Sequence, residues 1–332
     1  MSQPASKSDY GLVADIGGTH VRFAIVDPRG QNPSVTAVTT YPTKDHSDIA
    51  AAARTYLEEQ KLDVPPEALV FAVAGPVVNG EIRLTNAGWD ISEKDLRDKL
   101  KTKRAHLVND FEALAMAVSA LAQADSLKPI GDAPEFDAMR DGTIAIIGPG
   151  TGLGVGGTVR KGSENIALVA EGGHSGFAPT DETEIEILKI LMGKFGRVSN
   201  ERILSGPGIF NLYQAMAQID GVKAPDAAPE DITRTARENP ASFEARVFAQ
   251  FCAILGSVAG DVALIMGARS GVLIGGGILP DAAEIFAKSE FRARFEAKAR
   301  FTDYMKAIPT LLIVEPHAGL IGAASILLKD IR

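Results

Sequence analysis

An apolar run, a glycine turn and a second apolar run follow one another twice in this chain, and few folds accommodate that. GLVADIGGTHVRFAIVD carries the first turn, Asp15–His20, and TIAIIGPGTGLGVGGTVR carries the second, Gly148–Gly154. Each reads as two strands joined by a tight turn. VTAVTTYP reads as a third strand after the first pair, which makes a meander. SDIAAAARTYLEEQ then reads as a helix, and ALVFAVAG as a strand buried on both faces. In ISEKDLRDKL, Ser92 caps a helix, with Asp95 three residues on and Ile91 and Leu96 spaced as a hydrophobic staple. AHLVN is a further strand and FEALAMAVSALA the helix leaving it.

The polar stretch from Ala124 to Gly142 reads as a connector before the second round. That round continues with the strand NIALVAEGG, a helix from Thr180 to Phe195 and another near Ile209. VKAPDAAPED reads as a loop, with helices from Asp231 to Met266. The strand GVLIGGG, more helices, the strand LLIVEP and a last helix, HAGLIGAASILLKD, finish the chain. Strands alternating with helices predict an α/β architecture. The repetition is structural, with no short-period solenoid.

A chain of 332 residues has room for two such domains. Its net charge of −8 argues against a nucleic-acid binder, which needs a basic stripe. A phosphate tail can still be held by backbone N–H groups and a metal ion. The single cysteine, Cys252, excludes an internal disulfide and a cysteine metal cluster; its apolar neighbours suggest a buried thiol. FCAILGSVAGDVALIMGA, broken by Asp261, reads as a buried helix rather than a membrane span. MSQPASKSDYG lacks the apolar core of a signal peptide. A cytoplasmic protein is the simplest reading.

Glycines let a ligand approach the backbone closely, and the N–H groups of such turns form anion nests. In the first loop Gly17, Gly18 and Thr19 supply donors. Asp15, at the strand end, suits a magnesium ion, which takes one or two carboxylates and keeps several waters. In the second loop Gly150, Thr151 and Gly152 stand in a sequence that matches neither the dinucleotide-binding nor the Walker spacing. Each turn alone is equally a structural hairpin. Two of them, each after an apolar strand and each with a threonine, point to a phosphate clamp. Gly275, Gly276 and Gly277, ending a buried strand, suit the floor of a nucleobase site or a tight turn.

Asn109 and Asp110 follow AHLV, at the strand end where open α/β sheets bind ligands. Either could cap the next helix; two such residues exceed what one cap needs. Asp110 could accept the proton of a sugar hydroxyl during phosphoryl transfer. Asn86, Glu171, His174 and Glu201 offer the amide, carboxylate and imidazole groups that pair with sugar hydroxyls. His174 taken alone is as readily a loop histidine, Glu201 a surface glutamate and Trp89 a core anchor.

DIGGTHVRFAIVD, LTNAGW, LVNDFEALAMAV, GPGTGLGV, EGGHSGFAPTDETE, RVSNERILSGPG and GVLIGGGI, in this order, resemble the bacterial glucokinase family. That family lies in the actin, heat-shock ATPase and sugar-kinase superfamily. The resemblance runs from about Leu12 to Leu328. It implies two actin-like (ribonuclease H-like) α/β domains around a central cleft: residues 1–111 with 316–332, and 112–315. It implies ATP-dependent phosphorylation of glucose at the 6-hydroxyl, with ATP and magnesium as cofactors. Asp110 is the implied base; Asn86, Asn109, Glu171, His174 and Glu201 are implied sugar ligands. Asp15, Gly17, Gly18 and Thr19 match the first phosphate loop, and Gly150, Thr151 and Gly152 the second. Gly275 to Gly277 match the adenosine end.

A homodimer, with neither nucleic acid nor membrane as partner, is the family's expectation. The chain departs from the family at Gly176, where many members have aspartate, and at His20, where many have asparagine. Alternatives that the sequence leaves open are a sugar sensor on the same scaffold, another hexose, or ADP or polyphosphate as donor.

Overall fold

The computed structural model describes residues 10–84, 87–224 and 228–331. The chain divides into two compact units, Met1–Ala124 with Glu315–Arg332, and Asp125–Val314.

The first unit opens with the predicted meander: β1 (Gly11–Ile16), β2 (His20–Val26) and β3 (Val35–Pro42). α1 (Ile49–Glu59), β4 (Ala68–Val73), the small hairpin β5 (Glu81–Leu84) and β6 (Trp89–Ser92), α2 (Glu93–Leu100), β7 (Arg104–Asn109) and α3 (Asp110–Gln123) follow. The sheet order is β3-β2-β1-β4-β7, with β1–β3 antiparallel and β1, β4 and β7 parallel. All six residues of β4 are buried, as its unbroken apolar run requires. Alternation sends Leu69, Phe71 and Val73 into one core and Val70 and Ala72 into the core on the other face. Ser92 caps α2 by accepting from Asp95 N–H at 3.1 Å, and Ile91 and Leu96 are buried beside it. Trp89 is a core residue.

The second unit repeats the plan. β8 (Leu127–Pro129) precedes β9 (Gly142–Pro149), β10 (Leu153–Lys161) and β11 (Glu164–Ala170). Then come α4 (Glu182–Phe195), α5 (Gly206–Ile219), α6 (Pro229–Glu238) and α7 (Phe243–Met266). β12 (Gly271–Ile274), the short α8 (Ala283–Ala287), α9 (Phe291–Glu296) and α10 (Thr302–Lys306), and β13 (Thr310–Ile313) complete it. The order β11-β10-β9-β12-β13-β8 repeats the first sheet strand for strand and adds β8 at the edge. β8 lies in the expected connector: those few residues pair antiparallel with β13, a pairing with no local sequence signal. α7 is long and apolar enough to cross a membrane, yet most of its apolar stretch is buried inside the unit. Cys252, on α7, is fully buried and its thiol is pushed up to about 12 by desolvation, which leaves it unreactive.

α11 (Ala318–Ile331) returns to the first unit. Its Leu320, Ala323, Ala324 and Leu327 share one core with Val13, Val70 and Ala113. The expected division at 111/112 therefore moves: α3 lies against α11 and stays with the first unit. The contact is intimate, because a Cβ on Gly322 would overlap the carbonyl of Ala113. Neither backbone can yield without separating the helices. Gly322→Ala should therefore cost about 1–3 kcal/mol, as overpacking does, and lower the thermal unfolding midpoint measured by calorimetry.

Candidate active site

In the first unit the carboxyl ends of β1, β4 and β7 bring three segments to one edge of the sheet. Asp15 pairs in register with Ala72, and Val73 with Asn109. With strands about 4.8 Å apart, the ends of β1 and β7 lie roughly 10 Å apart. Asn109 is the cap of α3: its Oδ1 accepts from Phe111 N–H at 2.9 Å and Glu112 N–H at 3.4 Å. Its Nδ2 donates to the Gly75 carbonyl at 3.0 Å. The capping task thus falls on Asn109 and leaves Asp110 as the first residue of the helix. Asp110 Oδ1 accepts from Phe111 N–H at 3.0 Å. Its carboxylate stands at a helix N-terminus, where the helix dipole favours a negative charge.

The first glycine turn is closed by Gly17 N–H donating to His20 O at 2.9 Å. Thr43 pins it from β3: its N–H donates to Thr19 O at 2.9 Å and its hydroxyl to Gly18 O at 3.2 Å. The Gly18 and Thr19 N–H groups have no acceptor among the described residues. Arg22 faces Asp15 across the β1–β2 ladder and its Nη1 donates to Asp15 Oδ2 at 3.1 Å. Desolvation still holds the Asp15 carboxyl above its usual range, against the opposing pull of Arg22 and His317. Arg22 was legible in principle, since a short turn after Ile16 sets Asp15 and Arg22 opposite each other.

In the second unit the turn between β9 and β10 is held from two sides. Gly150 N–H donates to Gly152 O at 2.8 Å, and Gly206 N–H, opening α5, donates to Gly150 O at 2.7 Å. Gly276 adopts φ +84°, and a Cβ there would overlap the Pro149 carbonyl. The Thr151 and Gly152 N–H groups have no acceptor among the described residues. Beside the turn lies a cavity of about 630 Å³, walled by Gly150, Thr151, Gly206, Pro207, Gly277 and Ile278 and by α6 through Thr233, Arg234 and Arg237. The α6 wall was missed, because VKAPDAAPED gives only loop signals up to the helix start.

Glu171, His174 and Glu201 also meet in this unit. Glu171 bridges to Val155 of β10, and Gly172–His174 form a single helical turn. Glu201 Oε2 accepts from Leu153 N–H at 2.9 Å. Its Oε1 lies 3.8 Å from His174 Nδ1, beyond direct hydrogen-bond reach. Gly275 N–H donates to Ile147 O at 2.8 Å, which carries β12 into the glycine turn Gly275–Gly277. Asn86 lies outside the described residues.

Two units with the same meander-plus-parallel sheet order define the actin-like class of α/β kinase folds. Residues 12–330 match the glucokinase family, and the chain belongs to that family. A glucokinase from Caulobacter sp. (strain K31) is 45% identical over 322 residues, 97% of this chain and 96% of the relative. The crystal structure of a glucokinase from an Antarctic psychrotroph superposes with a TM-score of 0.84 at 35% identity, covering 96% of this chain and 98% of that one. A ROK-family glucokinase from Streptomyces griseus, solved with glucose and AMPPNP, shares the fold with a TM-score of 0.66 at 18% identity, covering 96% and 98%.

Gly276→Ala should raise the KM for ATP about tenfold, because any added carbon moves either the β9–β10 turn or the turn after β12. Steady-state kinetics with ATP varied at saturating glucose measures this.

Proposed function

We propose that this chain transfers the γ-phosphoryl group of ATP to the 6-hydroxyl of glucose, with Asp110 as general base. The glucose O6–phosphorus bond forms, the bond from phosphorus to the bridging oxygen breaks, ADP leaves, and the hydroxyl proton passes to the Asp110 carboxylate. The observation that carries this reading is Asp110 at the first position of α3, beyond the carboxyl end of β7, in a chain of the glucokinase family. Asn109 fixes the start of that helix and so the direction in which Asp110 projects.

Glu171, His174 and Glu201 are read as sugar ligands, joined by Asn109 and Asn86. Two hydrogen-bonding groups 3.8 Å apart, His174 and Glu201, suit hydroxyls on neighbouring carbons. Burying such groups against the wrong epimer leaves them unpaired, which is the physical source of hexose selectivity. The unshared N–H groups of Gly18, Thr19, Thr151 and Gly152 are read as phosphate donors. The cavity walled by α6 and Gly277 is read as the adenosine site; its size fits a nucleoside.

Magnesium fits the donor chemistry at Asp15. The carboxylate is desolvated, its Oδ1 has no hydrogen-bond partner among the described residues, and one carboxylate suffices for an ion that keeps its waters. Bound there, the ion would neutralise phosphate charge. Asp15→Asn should shift the magnesium concentration for half-activation upward, read by titrating the metal at fixed ATP. We also propose a cytoplasmic homodimer without nucleic-acid or membrane partners. The net charge of −8 and the burial of α7 support that reading.

A coupled ADP-release assay with glucose, mannose, fructose, glucosamine and no sugar tests the activity. Release with glucose far above the others is expected; equal release without sugar overturns the reading. Asp110→Asn should lower kcat by about 10²–10⁴-fold while calorimetric glucose affinity changes little. Near-normal turnover in that variant removes Asp110 from the role of base.

A further inference from the structure

The turn Gly172–His174 contains two glycines in three residues. Glycine gives up more backbone freedom on ordering than any other residue, so this turn depends on ties from its surroundings. Beneath it, Gly173 sits so close to the Leu153 carbonyl that a Cβ would overlap it. At its end, Ser175 Oγ and Ser175 N–H both donate to Gly172 O, at 2.7 and 3.1 Å. Beside it runs the segment 197–201, which ends in Glu201. Phe177 N–H donates to Val198 O at 3.1 Å and Asn200 N–H to Ser175 O at 2.9 Å. Asn200 Nδ2 adds a bond to Ser175 Oγ at 2.9 Å. These ties hold the residues on either side of His174.

Arg197 holds His174 itself. Its Nη2 donates to the His174 carbonyl at 2.7 Å. No other side chain among the described residues bonds that carbonyl, and Arg197 makes no ion pair among them. Arg197 is exposed, so no core packing explains it. A charged donor on a neutral carbonyl is among the stronger hydrogen bonds, and this one closes the remaining freedom of the turn at the residue whose imidazole faces Glu201.

We propose that Arg197 is a positioning residue for sugar binding: it fixes the backbone of His174 and through it the imidazole. The inference rests on the reading of His174 as a sugar ligand. Because the tie is preformed and acts on the sugar side alone, it should affect glucose affinity and leave the nucleotide and the chemical step alone.

The test is steady-state kinetics on Arg197→Met, Arg197→Lys, His174→Gln and the double variant Arg197→Met/His174→Gln, each checked for an unchanged melting temperature. Arg197→Met should raise the glucose KM about three- to tenfold, with kcat and the KM for ATP within about twofold. Arg197→Lys, which keeps a charged donor, should recover at least half of that loss. The double variant should be no worse than His174→Gln, since Arg197 acts through His174. An unchanged glucose KM in Arg197→Met, with His174→Gln impaired, overturns the role of Arg197 and leaves the sugar-ligand reading intact. A normal glucose KM in His174→Gln overturns both. Additive losses in the double variant also overturn the proposal, because they would make Arg197 an independent contributor.

Discussion

At Gly276, Gly173 and Gly322 a single added carbon would overlap a backbone carbonyl, those of Pro149, Leu153 and Ala113 respectively. Each contact lets two backbones approach more closely than any side chain permits, and each holds a segment in its place. Gly276 seats the turn after β12 on the β9–β10 hairpin. Gly173 seats the turn bearing His174 on β10. Gly322 seats α11 on α3 and so fixes the helix that begins with Asp110. Protein interiors are packed closely enough that such contacts transmit position rather than absorb error. The geometry of the candidate site is therefore set by backbone against backbone, with side chains added afterwards.

The same economy governs charge. A chain carrying −8 is poorly suited to gathering polyanionic ligands with lysines and arginines. On the proposed reading it relies on backbone N–H groups instead. Thr43 ties up the carbonyls of Gly18 and Thr19 while their N–H groups stay unshared, and Gly206 occupies the carbonyl of Gly150. Occupying the carbonyls turns the amides toward a ligand and keeps competing acceptors away. The nearest cation in the first loop, Arg22, is already committed to Asp15. What it does there is electrostatic: it offsets part of the desolvation that raises the Asp15 carboxyl.

Much of this plan was legible in the residues. β1, β2 and β3 fell where alternation and the glycine turn placed them, and β4 announced its burial by an unbroken apolar run. Ser92 was readable as a cap because capping is a local interaction. β8 was not readable, since its strand character exists only through pairing with β13. The α6 wall of the cavity was hidden behind a proline-rich stretch. The bond from Arg197 to His174 was hidden as well: an arginine in a loop carries no mark of the carbonyl it will meet. What sequence conveys is periodicity and local chemistry; what it withholds is any contact made between segments far apart in the chain.

Asn109 and Asp110 illustrate how one local device can serve two ends. Capping and catalysis compete for the same kind of residue at a helix start, because both want an oxygen acceptor there. A lone aspartate at that position would be drawn into capping, with its acceptor oxygens turned toward N–H groups of the first turn. Placing asparagine ahead of it resolves the competition. Asn109 takes the Phe111 and Glu112 N–H groups with its oxygen and anchors its amide nitrogen on Gly75. Asp110 is then displaced by one residue, which rotates its side chain about 100° around the helix axis. The cap thus defines where the helix starts, and the helix start aims the carboxylate. On the proposed reading Asn109 matters to the reaction even before any contact it makes with the sugar.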